Sequence, residues 1–213
     1  MTEQMIGNVT VGELQTNCWI VTAPGGVFVI DPGADGGRIL AYLKKNALVP
    51  SRIVITHAHF DHVGGLPDLA AAFPQAKILV HRSEAAKLGP ASLENHRRDF
   101  SDAGARDYVD SLWKPLPEAD EFLDEGGSTG PFTVLHLPGH SPGSIGLLWK
   151  EEKMLISGDT LFYAGVGRTD LYGGSQKQLE QSLARLFALD GGIKVYSGHG
   201  PVTTIRKEKE RYT

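Results

Sequence analysis

The sequence predicts an α/β fold in four layers, two mixed β-sheets face to face with helices on their outer sides. Three observations point there. The chain falls into two strand-rich halves, each half carries helices alongside its strands, and in each half the strands end in turns bearing histidine or aspartate. Two such halves place helices outside and sheets inside, with a site on the edge where strand ends meet.

The elements follow in order. The runs MIGNVTV, CWIVTA and VFVID, separated by polar or glycine-rich turns such as Pro24-Gly25-Gly26, read as a small meander. Ile39, Leu40, Leu43 and Ala47 stand at helical spacing, which predicts a helix over residues 36–48. Arg52 to Thr56 is an unbroken β run feeding the stretch THAHFDHVGG; residues 66–73 read as helix and KILVH at 77–81 as strand. From about 83 to 125 the chain is polar and helix-prone, cut by Gly89-Pro90, Pro115 and Pro117, and reads as a helical insertion within one domain spanning 1–213. Strands return at 132–137, 145–149 and 154–157. A helix is predicted over 175–189, where Ser175 and Gln178 form a capping-box pattern ahead of the stripe Leu179, Leu183, Leu186 and Phe187. The strand IKVYS at 193–197 leads into Gly198-His199-Gly200. No low-complexity tract or short-period repeat interrupts the pattern.

With 213 residues, 41% hydrophobic and 22% charged, the chain has the composition of a globular protein rather than a disordered or fibrous one. Its net charge of −4 shows no basic excess, so neither nucleic acid nor an anionic membrane is an expected partner. The segment MTEQMIGNVT lacks a charged region leading into an apolar one, and no apolar run approaches the ~20 residues of a membrane span, so a cytoplasmic location is expected. Cys18, the only cysteine, excludes an internal disulfide and in the run CWIV reads as a buried strand thiol. A homo-oligomer is allowed by the sequence and its size left open.

THAHFDHVGG puts four potential metal ligands, His57, His59, Asp61 and His62, within six residues. His57 and His59, two apart, point to one side of an extended chain, whereas Asp61 and His62 follow the start of a turn and project elsewhere. Gly64-Gly65 lets the backbone pack tightly beneath. Imidazole with carboxylate suits zinc, iron or manganese, whereas magnesium and calcium take mainly oxygens. In the second half, His140 in LPGHSPGS, Asp159 in ISGDTLF and His199 in YSGHGP each follow an apolar β run and adjoin glycine. Five histidines and two aspartates divide into two sites of three protein ligands with one carboxylate left to bridge, the open arrangement of catalytic rather than structural metals. His81, His96 and His136 lack such company and read as structural, His136 with a supporting contact to the site as its alternative.

The motifs T-H-x-H-x-D-H, G-H-S-P-G-S, G-D-T-L-F and S-G-H-G resemble the metallo-β-lactamase superfamily in order and approximate spacing over nearly the whole chain. Within it, TNCWIV, VIDPG, LHLPGHSPGS and GDTLFYAGVGRTDLYGGS are most similar to small glyoxalase II-like (hydroxyacylglutathione hydrolase-like) proteins. The resemblance implies the four-layer αβ/βα metallo-β-lactamase fold and two divalent metal ions, zinc first, with iron or manganese as alternatives. It assigns His57, His59 and His140 to one metal, Asp61, His62 and His199 to the other, and Asp159 as bridge. Asp31, ending VFVID, matches the buried aspartate that braces the ligand loop; its alternative is a plain strand-to-turn aspartate. A cysteine commonly matches Asp159 in the secreted antibiotic-hydrolysing relatives, and no signal segment precedes the motifs here, which argues against β-lactam hydrolysis as the native role.

Two metals about 3.5 to 4 Å apart would acidify a bridging water and polarise a carbonyl, with Asp61 as the catalytic carboxylate that orients the nucleophile or takes its proton. No serine or cysteine nucleophile is needed, and Ser141 reads as ordering its loop. The implied reaction is thioester hydrolysis on S-acylglutathione or a related small ester. In AGVGRTDLYGG the glycines permit close approach of a ligand, and Arg168 offers a fork for a carboxylate at the place where glyoxalase II carries a basic residue contacting glutathione. A surface arginine is the alternative, and Tyr163 and Tyr172 are weaker substrate contacts. Full-length glyoxalase II has a helical C-terminal domain supplying much of that pocket, whereas fourteen residues follow His199 here. Residues 83–125 offer another cover but carry no specific sign of thiol-tripeptide binding. Two rivals stand beside this reading: an iron persulfide dioxygenase using His57, His140 and Asp159, and a non-catalytic metal-binding scaffold.

Overall fold

The computed structural model describes residues 5–101 and 106–212. Strands β1 (Ile6–Val11), β2 (Thr16–Ala23) and β3 (Gly26–Ile30) form the expected antiparallel meander. Helix α1 (Gly36–Lys45) crosses over to β4 (Pro50–Ile55), and the short α2 (Phe60–Val63) with α3 (Leu66–Ala72) crosses to β5 (Lys77–Val80). Both crossovers join parallel strands, so the C-terminal ends of β3, β4 and β5 share one edge.

The segment after β5 departs from the purely helical expectation. A 3-10 turn over Arg82–Lys87, α4 (Leu93–Ser101) and α5 (Arg106–Leu112) are helical, but Glu121–Phe122 forms β6, which pairs parallel with β5 and closes the first sheet. Asp120 caps that approach, its carboxylate accepting from Ile78 N–H at 2.9 Å. A two-residue strand has no periodicity to read, so only tertiary pairing defines it.

The second sheet is built from β7 (Ser128–Thr129), β8 (Phe132–His136), β9 (Ile145–Trp149) and β10 (Met154–Gly158) in antiparallel succession. A small hairpin, β11 (Leu161–Phe162) with β12 (Gly165–Val166), precedes α6 (Gln176–Phe187). The chain then returns as β13 (Lys194–Ser197), parallel to β10, and ends with β14 (Thr203–Thr204) and α7 (Ile205–Tyr212). Half of the predicted capping box forms: Ser175 Oγ accepts from Gln178 N–H at 3.4 Å.

The near-continuous apolar runs follow from burial on both faces. Alternate residues divide between layers. Trp19, Val21, Phe28 and Ile30 meet Phe132, Val134, Leu147 and Ile156 between the sheets, while Ile20 and Val29 turn outward onto Ile39 and Leu43 of α1. Behind the second sheet, Leu148, Leu155 and Val195 pack on Leu179, Leu183 and Leu186 of α6 and Ile205 of α7. Each such buried aliphatic contributes about 1.5–3 kcal/mol. The architecture is therefore the four-layer αβ/βα sandwich expected, and Cys18 is fully buried within it. Among the described residues no helix is long and apolar enough to cross a membrane.

Candidate metal centre

Four loops converge where the sheets meet. His57, His59, Asp61 and His62 leave the end of β4, His140 follows β8, and Asp159 and His199 follow the parallel pair β10 and β13. Hydrogen bonds tie the sheets together there: Ile145 N–H donates to Thr56 O at 2.9 Å and Asn17 N–H to Gly198 O at 2.7 Å. Asn17 Nδ2 also donates to Ser197 O and Gly200 O, so the start of β2 grips both sides of His199. Beneath α2, a Cβ on Gly65 would lie 2.4 Å from Gly33 O, so only glycine admits this contact between the loop after Asp31 and the ligand turn.

Two clusters result. His140 Nε2 lies 2.9 Å from His59 Nδ1 and 3.1 Å from His57 Nε2. Asp61 Oδ2 lies 3.4 Å from His62 Nε2 and 3.3 Å from His199 Nε2. Asp159 stands between them, with Oδ1 3.4 Å from His62 Nε2, and Oδ2 3.4 Å from His199 Nε2 and 3.7 Å from His140 Nε2. Six of these side chains are buried and His199 is partly so.

Hydrogen bonds on the far ring nitrogens fix which nitrogen faces the centre. Asp31, buried at the end of β3 with φ of 53°, accepts from Thr56 N–H at 2.7 Å and Thr56 Oγ1–H at 2.6 Å, and from His62 Nδ1–H at 3.0 Å. The Thr56 hydroxyl has then spent its proton and accepts from His57 Nδ1–H at 3.2 Å. His140 Nδ1–H donates to Arg168 O at 2.8 Å and His199 Nδ1–H to Leu14 O at 3.0 Å. Each of these four rings therefore turns Nε2 into the centre.

This arrangement fits divalent metal. His57 Nε2 and His140 Nε2 oppose two lone pairs at 3.1 Å with no proton between them, an arrangement that a cation relieves. His62 Nε2 and Asp159 Oδ1 are buried without a hydrogen-bond partner among the described residues. Among the described residues, three groups of side chains have ligand atoms close enough to share an ion: His57 with His59 and His140, Asp61 with His62 and His199, and Asp31 with His57 and His62. In the last group Asp31 already serves Thr56 and His62 as acceptor.

The electrostatics divides the two clusters. Burial, with neighbouring histidines, holds His57 and His59 well below the usual imidazole range, so both are neutral and ready to coordinate. Burial pulls His62 the same way, but Asp61, Asp159 and Asp31 outweigh it and hold it well above. His199 is likewise opposed by burial yet raised to about 10 by hydrogen bonds to Asp159 and Asp61. Burial would raise the two aspartates, but His62 and His199 hold Asp61 below, and Asp159 well below, the usual carboxylate range.

Residues 11–199 match the sequence profile of the metallo-beta-lactamase superfamily. The chain belongs to that superfamily. Hydroxyacylglutathione hydrolase GloC of Haemophilus influenzae is 32% identical over 203 residues, which cover 94% of this chain and 93% of GloC. TTHA1623, solved in a di-iron-bound form, superposes with a TM-score of 0.82 at 38% identity, over 95% of this chain and 96% of its own. The B3 metallo-beta-lactamase BLEG-1 does so with a TM-score of 0.83 at 33% identity, over 97% of each chain. The superfamily binds divalent metals, and the histidine and aspartate groups here suit such a site.

The remaining residues singled out in the sequence sit around this superfamily centre in different ways. Arg168 contributes its carbonyl to His140, while its guanidinium forks onto Asp170 at 2.7 and 2.8 Å. Tyr163 is exposed on the turn between β11 and β12 under the guanidinium of Arg211, and Tyr172 is exposed beneath Arg98 of α4, 3.7 Å from its ring centroid. His81 and His136 stack on each other at 4.3 Å, and His96 is buried with Nε2 2.8 Å from Lys87 O. Ser141 donates to Glu84 at 2.7 Å. The sequence marks Thr56 and Asn17 only as members of the motifs THAH and TNCW, and nothing in it marks Glu84.

Proposed function

We propose that this chain is a metal-dependent hydrolase cleaving thioesters, S-acylglutathione or a related small ester, with two divalent ions. The observation that carries the reading is the convergence of seven histidine and aspartate side chains into two three-residue sets with Asp159 between them. His57, His59 and His140 would hold one ion, and Asp61, His62 and His199 the other. Zinc is the first choice for these donors, with iron or manganese behind it. A pair of such ions, when bound, would supply acidified water and a polarised acyl carbonyl, so no side-chain nucleophile would be required.

The chain's own groups do the rest. Asp61 meets Thr16, His62 and His199 through Oδ2, leaving Oδ1 to orient the attacking water or take its proton. Asp31 holds His62 in the tautomer that presents Nε2. Arg168 receives a substrate carboxylate by exchanging its fork from Asp170, and the exposed Tyr163 is a weaker candidate contact. Support for a thioester comes from GloC, a relative of almost the same extent whose name carries that activity. The di-iron TTHA1623 favours iron as the alternative metal, again as a pair.

The test measures metal per chain, thioester hydrolysis, β-lactam hydrolysis and oxygen uptake with glutathione persulfide on one preparation. Two zinc ions with thioester turnover are expected. One iron with oxygen uptake, or β-lactam turnover exceeding thioester turnover, overturns the proposal. His59→Ala is expected to lose one ion and abolish hydrolysis; full retained activity refutes the two-ion scheme.

A further inference from the structure

Four of the five histidines are oriented by a hydrogen bond on the far ring nitrogen, and His59 is not. It turns Nδ1 inward to His140, while its Nε2 is buried with no hydrogen-bond partner among the described residues. Its position therefore depends on the backbone that delivers it and on packing against Phe100, 6.1 Å between ring centroids.

That backbone is held by Glu84, a fully buried carboxylate in the 3-10 turn after β5. Glu84 Oε2 accepts from Ala58 N–H at 3.2 Å, between His57 and His59. Its Oε1 accepts from Ser141 Oγ–H at 2.7 Å and Gly143 N–H at 2.8 Å, in the loop just after His140. One carboxylate thus spans the two loops that bring the three nitrogens together. A Cβ on Gly143 would lie 2.6 Å from Glu84 Cγ, so the glycine is what lets the carboxylate enter. Lys87 Nζ, itself nearly buried, lies 3.3 Å from Glu84 Oε2 and 2.8 Å from Asp99 Oδ2 and supplies the countercharge that makes burial tolerable.

We propose that Glu84 is a positioning residue for the His57, His59 and His140 set, fixing the separation of its two loops to the tolerance a metal requires. The proposal rests on the metal reading above. Ligand distances tolerate only about 0.2 Å, and losing a group that supports a ligand costs about 10- to 100-fold in metal affinity. Glu84→Gln keeps the shape but presents one oxygen and one NH2 where two acceptor oxygens are needed, so one loop is released.

The experiment titrates metal-free wild type and Glu84→Gln with cobalt(II) against a competing chelator, following visible absorption, with thermal unfolding of the metal-free proteins alongside. Expected is a 10- to 100-fold weaker affinity for one ion, with an altered spectrum, and no change for the other. A merely structural glutamate would lower the unfolding temperature and leave both affinities and the spectrum at wild-type values, and that result overturns the proposal. Ser141→Ala removes one arm without burying a new group and is expected to weaken the same ion several-fold; it decides the matter if Glu84→Gln does not fold. A wild type holding one ion overturns the two-ion reading, and Glu84 is then judged on that ion's affinity; a wild type holding none overturns both.

Discussion

Gly198→Ala places the smallest possible probe inside the centre. A Cβ there would lie 2.1 Å from Asp159 Oδ1 and 2.7 Å from His62 Cε1. Because real Cβ contacts essentially never fall below 3.0 Å, the carboxylate must withdraw by about 0.9 Å. The glycine itself has little room to retreat, since its N–H donates to Gly158 O at 2.9 Å and its carbonyl accepts from Asn17 at 2.7 Å. Its φ lies outside the left-handed region, so alanine adds no backbone strain of its own. A displacement several times the roughly 0.2 Å tolerance of a metal ligand should weaken the ion on Asp61, His62 and His199 by at least about 100-fold. Overpacking should cost the metal-free fold only about 1–3 kcal/mol. Dialysis against a graded chelator followed by elemental analysis reads the first effect, and thermal unfolding of the metal-free protein reads the second. A variant that keeps both ions at wild-type affinity would refute the placement of Asp159 between the clusters.

Asp31→Asn should lower metal affinity about 10- to 100-fold, because the amide can accept from only part of the Thr56 and His62 set; unchanged cobalt binding would count against Asp31 as the brace. Asp170→Asn should loosen the bidentate partner of Arg168 and lower KM for carboxylate-bearing thioesters with little change in kcat, as steady-state kinetics would show; an unchanged KM argues that Arg168 does not meet substrate. The metal-free protein should be most stable near pH 6.5. His199, raised to about 10 despite burial by its bonds to Asp159 and Asp61, contributes stability that is full below about 6.5 and is lost as pH rises through 10. His57 and His59, held low chiefly by burial, and His96, lowered by burial to about 4, take protons in the unfolded chain first, so stability also falls below about pH 6.5, by up to about 3 kcal/mol for His96 alone. Unfolding temperatures measured with chelator from pH 4 to 10 check this, and a curve without a maximum refutes it.

The layers were legible because both sheets are covered on both sides, which leaves runs such as VFVI and IVI uninterrupted by polar residues. The histidines and aspartates were legible because they cluster in short motifs at strand ends. What escaped was set by tertiary contact alone. The strands β6, β7, β11, β12 and β14 have two residues each and no pattern to detect. The segment IRKEKERY looks like a solvated tail, yet it is helical, with Ile205 and Glu208 buried three residues apart and Glu208 accepting from Ala164 N–H at 2.9 Å. Glu84 in RSEAAK has the local character of an exposed helix residue, and only its lodging between two loops far apart in the chain makes it a buried acceptor. The pairing of Arg168 with Asp170 two residues on was within reach of the sequence, and it tempers the reading of Arg168 as a free fork.

The charge pattern of the centre also explains how the fold carries three buried aspartates before any metal arrives. Asp31, Asp61 and Asp159 all touch or face His62, and the last two also face His199, the two histidines whose affinity for protons is raised. Without metal, the facing carboxylates make both imidazoles hold a proton more tightly than a free histidine does, which offsets part of the buried negative charge. The other cluster, His57 and His59 with His140, sits farther from the carboxylates, and burial keeps His57 and His59 neutral. On the two-ion reading proposed above, loading the Asp61, His62 and His199 set would displace protons, whereas His57 and His59 would have none to release. The two sets would then differ in the pH dependence of metal binding, although Asp159 faces both. The asymmetry follows from where the carboxylates stand: Asp61, from the turn after β4, and Asp159, from the end of β10, both face His62 and His199, and the sheets must meet before that pair of charges is assembled.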